Sequence, residues 1–308
     1  MKNLKDNQTT QIEYINKFGN AGVPTLAASV IIVTWNRANS LNKCIDSLQR
    51  QSGKDFEIIV VDNGSVDETE HICRQYDLLY VKLDKNYGLS EGRNIGVNHS
   101  RADVLVFLDD DAIADQKLVE SHVRAHKENE IIALRGRSVP LNKRNPYNDL
   151  ASHYDLGERI IPSLINLEGN SSFKKAPLLE VGGFKPELVI YGHEGSELTY
   201  RLIKRFGDPN KIIYYPDAVI YHNYIDNFWV LIKKSFGFGR YERRLEVDLP
   251  DFYEFFMSYK YPARKTTAKK KKQSLLTKLR FLLVQFSMWH SRKLGYKYQS
   301  LKSCSLPS

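Results

Sequence analysis

The chain has 308 residues, 42% of them hydrophobic and 26% charged, with a formal net charge of +9. This length supports one large α/β domain with a substantial core plus further segments, and the composition excludes a wholly disordered chain. No run of 18 apolar residues occurs, and the polar start MKNLKDNQTTQIEYINKF lacks an apolar stretch, so neither a spanning helix nor a signal peptide is expected.

The charge is unevenly placed. Residues 255–308 hold 13 Lys/Arg and no Asp or Glu, leaving 32 basic against 36 acidic residues elsewhere. A mildly acidic body therefore precedes a strongly basic tail. Cys44, Cys73 and Cys304 lie far apart without metal-ligand spacing. They suit a reducing compartment, so a cytoplasmic location is expected.

In chain order, SVIIVT at 29–34 reads as a buried strand, and residues 40–49 follow with helical spacing at Leu41, Cys44, Ile45 and Leu48. FEIIVV at 56–61 predicts a second strand, 67–75 a short helix, and 78–83 a third strand. A helix over 90–99 and a fourth strand, VLVFL at 104–108, complete the alternation. Strand and helix alternating at this pace predict right-handed βαβ units and a parallel sheet. The second half is less regular. Residues 142–162 read as loop, 195–206 as helix, 211–215 and 218–221 as two short strands, and 228–244 as a basic helix. PARKTTAKKKK at 262–272 reads as a charged linker and 273–294 as an amphipathic helix.

Ligands of parallel sheets gather at the carboxyl ends of the strands. There this sequence places Thr34-Trp35-Asn36-Arg37, Asp62-Asn63-Gly64-Ser65 and Asp109-Asp110-Asp111. Three adjacent carboxylates repel one another, and a divalent cation with oxygen preference, Mg²⁺ or Mn²⁺, would relieve the repulsion. Taken alone, the triplet reads more readily as a solvated acidic turn ahead of a helix; its place after a buried strand reverses that preference in favour of the metal. Asp62 stands where a base or ribose could be bound, or in a plain turn that Asn63-Gly64 makes easy. The glycines of GLSEGRNIG match neither a dinucleotide fingerprint nor a P-loop, which counts against a dehydrogenase and an ATPase. Arg93 in that segment is a candidate phosphate contact.

Together, SVIIVTWNRANSL, FEIIVVDNGSVDET, NYGLSEGRNIGVNHSRADVLVFLDDDA, GNSSFKKAPLLEVGGF, YGHEGSELTYRL and YPDAVIYH resemble the family 2 glycosyltransferases. The resemblance implies a GT-A (nucleotide-diphospho-sugar transferase) fold, with a mainly parallel central sheet flanked by helices. It divides the chain into an N-terminal extension (1–27), a catalytic domain (28–245) and a basic helical C-terminal extension (246–308). By the same resemblance, Thr34, Asn36 and Arg37 lie beside the nucleotide and Asp62, with Asn63 next to it, reads the base. Arg93 approaches the phosphates, and Asp109 and Asp110 face the ribose. Asp109, Asp111 and His222 are the metal residues. The catalytic base departs from the family pattern, because Gly195 stands where many relatives carry Asp. Glu194 is the first candidate for the base and Glu197 the second; Glu197 also reads as a helix-start acid favoured by the dipole.

The implied chemistry is displacement with inversion at the anomeric carbon of a nucleotide-diphosphate sugar, UDP- or GDP-linked, with Mn²⁺ or Mg²⁺ at the leaving group. The acceptor is expected to be a glycan or a lipid-linked hydroxyl. The basic, aromatic segments 228–244 and 262–294 suggest an anionic membrane surface as partner, peripheral on the inner face of the membrane; a basic helix packed on the body stays open beside it. A nucleotidyltransferase would need a glycine pattern that SVIIVTWNRANS lacks. No RNA-binding motif accompanies the tail, so no nucleic acid partner is expected.

Overall fold

The structure, a computed structural model, describes residues 10–18, 26–142, 145, 147, 154–166, 169–188, 193–223, 227–259 and 275–304. The linker expected at 262–272 lies outside them. The chain divides into two compact units, residues 1–139, 158–189 and 193–222 in one, and 140–157, 190–192 and 223–308 in the other.

The first unit is built on a mixed sheet. Its centre is the predicted parallel core: β2 (Ala28–Thr34), β3 (Phe56–Asp62), β4 (Leu78–Leu83) and β5 (Val104–Leu108), in the order β4-β3-β2-β5. The helices between them are α1 (Ala38–Gln49), α2 (Thr69–Cys73) and α3 (Leu89–His99). Apolar residues on both faces explain why these strands read as continuous hydrophobic runs. Val30 and Ile32 enter a core with Leu41, Ile45 and Leu48 of α1, whereas Ile31 enters a second core with Ile95 and Val97 of α3. Each such side chain contributes about 1.5–3 kcal/mol when fully buried. Gly92 and Gly96 let α3 lie directly on β2, since a Cβ at either would come within 2.6 Å of Val33 or 2.4 Å of Ile31. These glycines serve packing.

Antiparallel strands extend this core. β1 (Ile12–Phe18) lines the edge beside β4. β9 (Asn170–Lys174) inserts antiparallel between β5 and β7 (Ala133–Val139). Neither β7 nor β9 was anticipated: ALRGRSV and NSSFK lack an apolar alternation, although Asn170, Ser171 and Ser172 are fully buried. The segment expected as two short strands is one, β10 (Ile212–Tyr221), parallel to β7. Its register shifts between Tyr214 and Val219, around Pro216, which has no N–H to give to a ladder. The short β6 (Ile113–Ala114) pairs with Ile220–Tyr221, and β8 (Ile161–Pro162) with Ile213–Tyr214. α4 (Leu118–Glu128), α5 (Lys175–Glu180) and α6 (Glu194–Phe206) complete the two helical layers.

The second unit is helical: α7 (Phe228–Asp248), α8 (Pro250–Ser258) and α9 (Leu275–Cys304).

Candidate active site

The carboxyl ends of β2, β3 and β5 open into a cleft of about 500 Å³. Thr34, Arg37, Asn63, Asp109, Asp110, Asp111 and His222 line it, joined by Trp35, Asn86, Gly88 and Leu89. The parallel pairing of Thr34 with Asp62 at the strand ends, and of β2 with β5, brings these segments together.

Asp110 is 6% exposed and accepts hydrogen bonds from Thr34 Oγ1 and Arg37 Nη1, each at 2.8 Å. Burial raises its pKa despite those bonds. The same Arg37 Nη1 lies 2.8 Å from Asp111 Oδ2, so one guanidinium bridges two adjacent carboxylates. On the other oxygen, Asp111 Oδ1 stands 2.9 Å from His222 Nε2. Burial alone would raise the Asp111 pKa, but His222 and Arg37 outweigh it and hold it at about 2. β6 creates this proximity. Its pairing with Ile220–Tyr221 two residues after Asp111 places the end of β10, and hence His222, over the acidic turn.

Asp109 is held from behind. Its N–H donates to the Gly169 carbonyl at 3.3 Å, and Arg93 Nη2 lies 3.7 Å from its Oδ1. Arg93 is 4% exposed, with its guanidinium over the Phe184 ring at 5.3 Å. Behind Gly169, Asn170 Nδ2 donates to the Arg137 and Ala218 carbonyls at 2.9 and 3.0 Å, capturing the Ala218 oxygen near the irregularity in β10. Asn170 Oδ1 faces His122 Nε2 at 3.0 Å. Ser172 Oγ lies 2.9 Å from both His122 Nδ1 and His126 Nε2. Neutral Nε2–H tautomers of both histidines satisfy this chain: His126 donates to Ser172, Ser172 to His122, and His122 to Asn170. Burial pushes His122 down to about 4, with the Asn170 bond opposing it; burial likewise pushes His126 down to about 3.

Of the remaining candidates, Asp62, Asn36, Glu194 and Glu197 stand outside the cleft lining. Asp62 is fully buried; it accepts from the Ser65 N–H at 2.8 Å, from the Tyr80 hydroxyl, and from Lys82 Nζ at 3.0 Å. Asn36, at φ 53°, joins the β2 and β3 loops. Its N–H donates to Ser65 Oγ and its Oδ1 accepts from Val66 N–H, both at 2.8 Å. Asn63 Nδ2 donates to Asn86 Oδ1 and the Gly88 carbonyl, both at 3.0 Å, fixing the cleft wall at 86–88. Glu194 and Glu197 occupy the first turn of α6. Glu197 is 2% exposed and is engaged by Arg201 and by Lys185 Nζ, each at 2.9 Å. Trp35, which the sequence places in the strand-end cluster without a role of its own, is 51% exposed on the cleft; a bare aromatic just after a buried strand is the signal for it.

Among the described residues, no three His, Cys, Asp or Glu side chains form a ready-made metal cluster. Carboxylate oxygen and imidazole nitrogen are nevertheless donor types that a divalent cation accepts. Neighbouring ligands of an octahedral ion at about 2.1 Å stand about 3 Å apart, and such ions keep several positions for water and phosphate. Asp111 Oδ1 and His222 Nε2, 2.9 Å apart, have that spacing.

Residues 29–178 match the sequence model of the family described as Glycosyl transferase family 2. The chain carries a family 2 glycosyltransferase domain. An uncharacterized glycosyltransferase of Bacillus subtilis (strain 168) is 35% identical over 116 residues, 36% of this chain and 30% of its own length. The validoxylamine A glucosyltransferase of Streptomyces hygroscopicus subsp. jinggangensis is 31% identical over 219 residues, 58% of this chain and 51% of its own. The chain thus spans about a third to a half of the length of these relatives. The mannosyltransferase of Pyrobaculum calidifontis, solved in complex with GDP-Man and Mn²⁺, superposes with a TM-score of 0.57 at 16% identity, covering 92% of this chain and 76% of that one. At that identity the likeness establishes the fold, which is GT-A.

Proposed function

We propose that this family 2 domain transfers a sugar from a nucleotide-diphosphate donor to an acceptor hydroxyl, with inversion and with a divalent cation. The observation that carries this reading is the convergence of Thr34, Arg37, Asp109, Asp110, Asp111 and His222 on one cleft at the strand ends. Asp111 and His222 would hold the ion, Asp109 standing beside them. When bound, the cation supplies positive charge to the departing diphosphate as a Lewis acid. Arg37, half exposed at the cleft, has the reach and charge to pair with a donor phosphate. Asp109 and Asp110 are suited to accept ribose hydroxyls, and Trp35 offers a flat apolar surface to the base. Asp62 supports that wall through Ser65 and Lys82, with Arg93 steadying Asp109.

Glu194 is the base in this reading and takes the proton of the acceptor hydroxyl. Glu197 is less suited, because Arg201 and Lys185 already occupy its carboxylate. The acceptor is proposed to be a glycan or a lipid-linked hydroxyl.

Thermal shift with a panel of UDP- and GDP-sugars, with and without Mn²⁺, tests the reading. Stabilisation by one donor class that depends on the metal is expected, followed by a transfer product of inverted anomeric configuration by NMR. Stabilisation by nucleoside triphosphates or RNA alone, or a retained configuration, would overturn it.

A further inference from the structure

α9 has two contrasting faces. One packs on α7 at close range. A Cβ on Gly239 would come within 1.7 Å of the Arg292 carbonyl oxygen, and one on Gly295 within 2.0 Å of the Phe236 oxygen. Ser291 donates to the Ile232 carbonyl at 2.9 Å, and Ser291 and Gln299 are both buried. The contacts Ile232–Ser291, Phe236–Gly295 and Arg240–Gln299 keep one offset along the sequence, so the helices run parallel. Residues 291, 295 and 299 therefore define the inner face.

At 100° per residue, Leu282, Phe286, Trp289 and Lys293 fall on the opposite face. There Leu282 is 60%, Phe286 61% and Trp289 51% exposed, with Leu283 and Leu294 exposed alongside. Phe286 and Trp289 stack with centroids 6.4 Å apart, and Lys293 Nζ sits 3.9 Å over the Trp289 ring. A contiguous exposed patch of this kind marks an interaction surface.

We propose that this face of α9 docks on an anionic lipid bilayer. Residue types and charge select that occupant. Trp, Phe and Leu form the apolar side, as in helices that lie in the membrane interface. Among the described side chains, Lys293 and Lys297 are exposed on this side of the helix, Arg292 being paired with Glu242 of α7, and the α9 sequence contains no Asp or Glu. Basic side chains beside such a face are drawn to anionic headgroups. A second copy is disfavoured by the same charges, because pairing this face with itself would oppose cations and supply no carboxylate from the helix. Docking is in the interfacial plane, since among the described residues no helix is long and apolar enough to cross a membrane. This assignment does not depend on the proposed transfer reaction.

The test is flotation of the full chain with phosphatidylcholine vesicles, with and without about a third phosphatidylglycerol, at low and high salt. Wild type should float with the anionic vesicles at least tenfold more than with the neutral ones, and less at high salt. The triple variant Leu282→Ser, Phe286→Ser, Trp289→Ser should lose at least tenfold of that binding, with circular dichroism and Tm unchanged. Lys293→Glu with Lys297→Glu should also weaken it and keep the fold. Equal flotation with neutral and anionic vesicles would overturn the proposal. So would undiminished binding by the triple variant, or a concentration-dependent dimer that the triple variant abolishes.

Discussion

Gly169 backs directly onto the first aspartate of the acidic turn, and Gly169→Ala probes that contact. A Cβ there would lie 1.9 Å from both Cγ and Oδ2 of Asp109. Ordinary carbon contacts need about 3.5–4 Å, so the carboxyl must retreat by roughly 1.5–2 Å. The strand has little freedom to retreat instead, since Asp109 N–H donates to Gly169 O and Asn170 pairs with Leu108 in the ladder. Asp109 can swing, because its side chain is 36% exposed. The stability cost should then be that of mild overpacking, about 1–2 kcal/mol, or a few degrees in Tm. Displacing a site group by about 1 Å can cost roughly 100-fold in rate, about 2.7 kcal/mol in the barrier. The expected result is a Tm within a few degrees of wild type and a hundredfold fall in kcat/KM for release of nucleoside diphosphate from the donor. Activity within threefold of wild type would refute the reasoning, because the Asp109 position would then not matter. A Tm loss beyond ten degrees would refute it differently, by showing that the strand took the strain.

Glu194→Gln should lower transfer at least a hundredfold with unchanged donor affinity, whereas Glu197→Gln should mainly lower Tm by loosening Arg201 and Lys185; the opposite pattern would exchange their roles. Asp62→Ala strands Lys82, 13% exposed, and removes the acceptor for Tyr80 and Ser65. A loss of about 3–5 kcal/mol in urea unfolding is expected, and an unchanged midpoint would sink the anchoring role. His122 and His126, held neutral by burial with pKa values of about 4 and 3, bind protons in the unfolded chain first. Their contribution is therefore complete above about pH 6.5 and lost as the pH falls from there toward 3–4, by about 1 kcal/mol per pH unit for each. A His122→Gln, His126→Gln double variant should show a flatter Tm decline over pH 6.5 to 4; an unchanged slope would show that other groups carry it.

The parallel core was legible because its physics is local. Ser29–Thr34, Phe56–Val61 and Val104–Leu108 are apolar on both faces, which only a strand covered twice requires, and helical spacing lies between them. The acidic turn was legible for the same reason, as three carboxylates directly after such a strand. Polar burial hid the rest. β9 is NSSFK, and its Asn170 and Ser172 are buried for the bonds they make to His122, His126 and two carbonyls, none of which is near in sequence. The two short strands predicted at 211–221 became one because Pro216 interrupts the ladder without ending the strand. Sequence alone thus determined the central sheet and its polar strand ends. Tertiary structure decided which side chains meet there. It set His222 against Asp111 across 111 positions, withdrew Asp62 into a buried knot, and left Glu197 engaged by two cations. The identity of these strands follows from a continuous apolar run of a few residues, whereas a hydrogen bond between residues far apart depends on register and bulges that only the packed chain fixes.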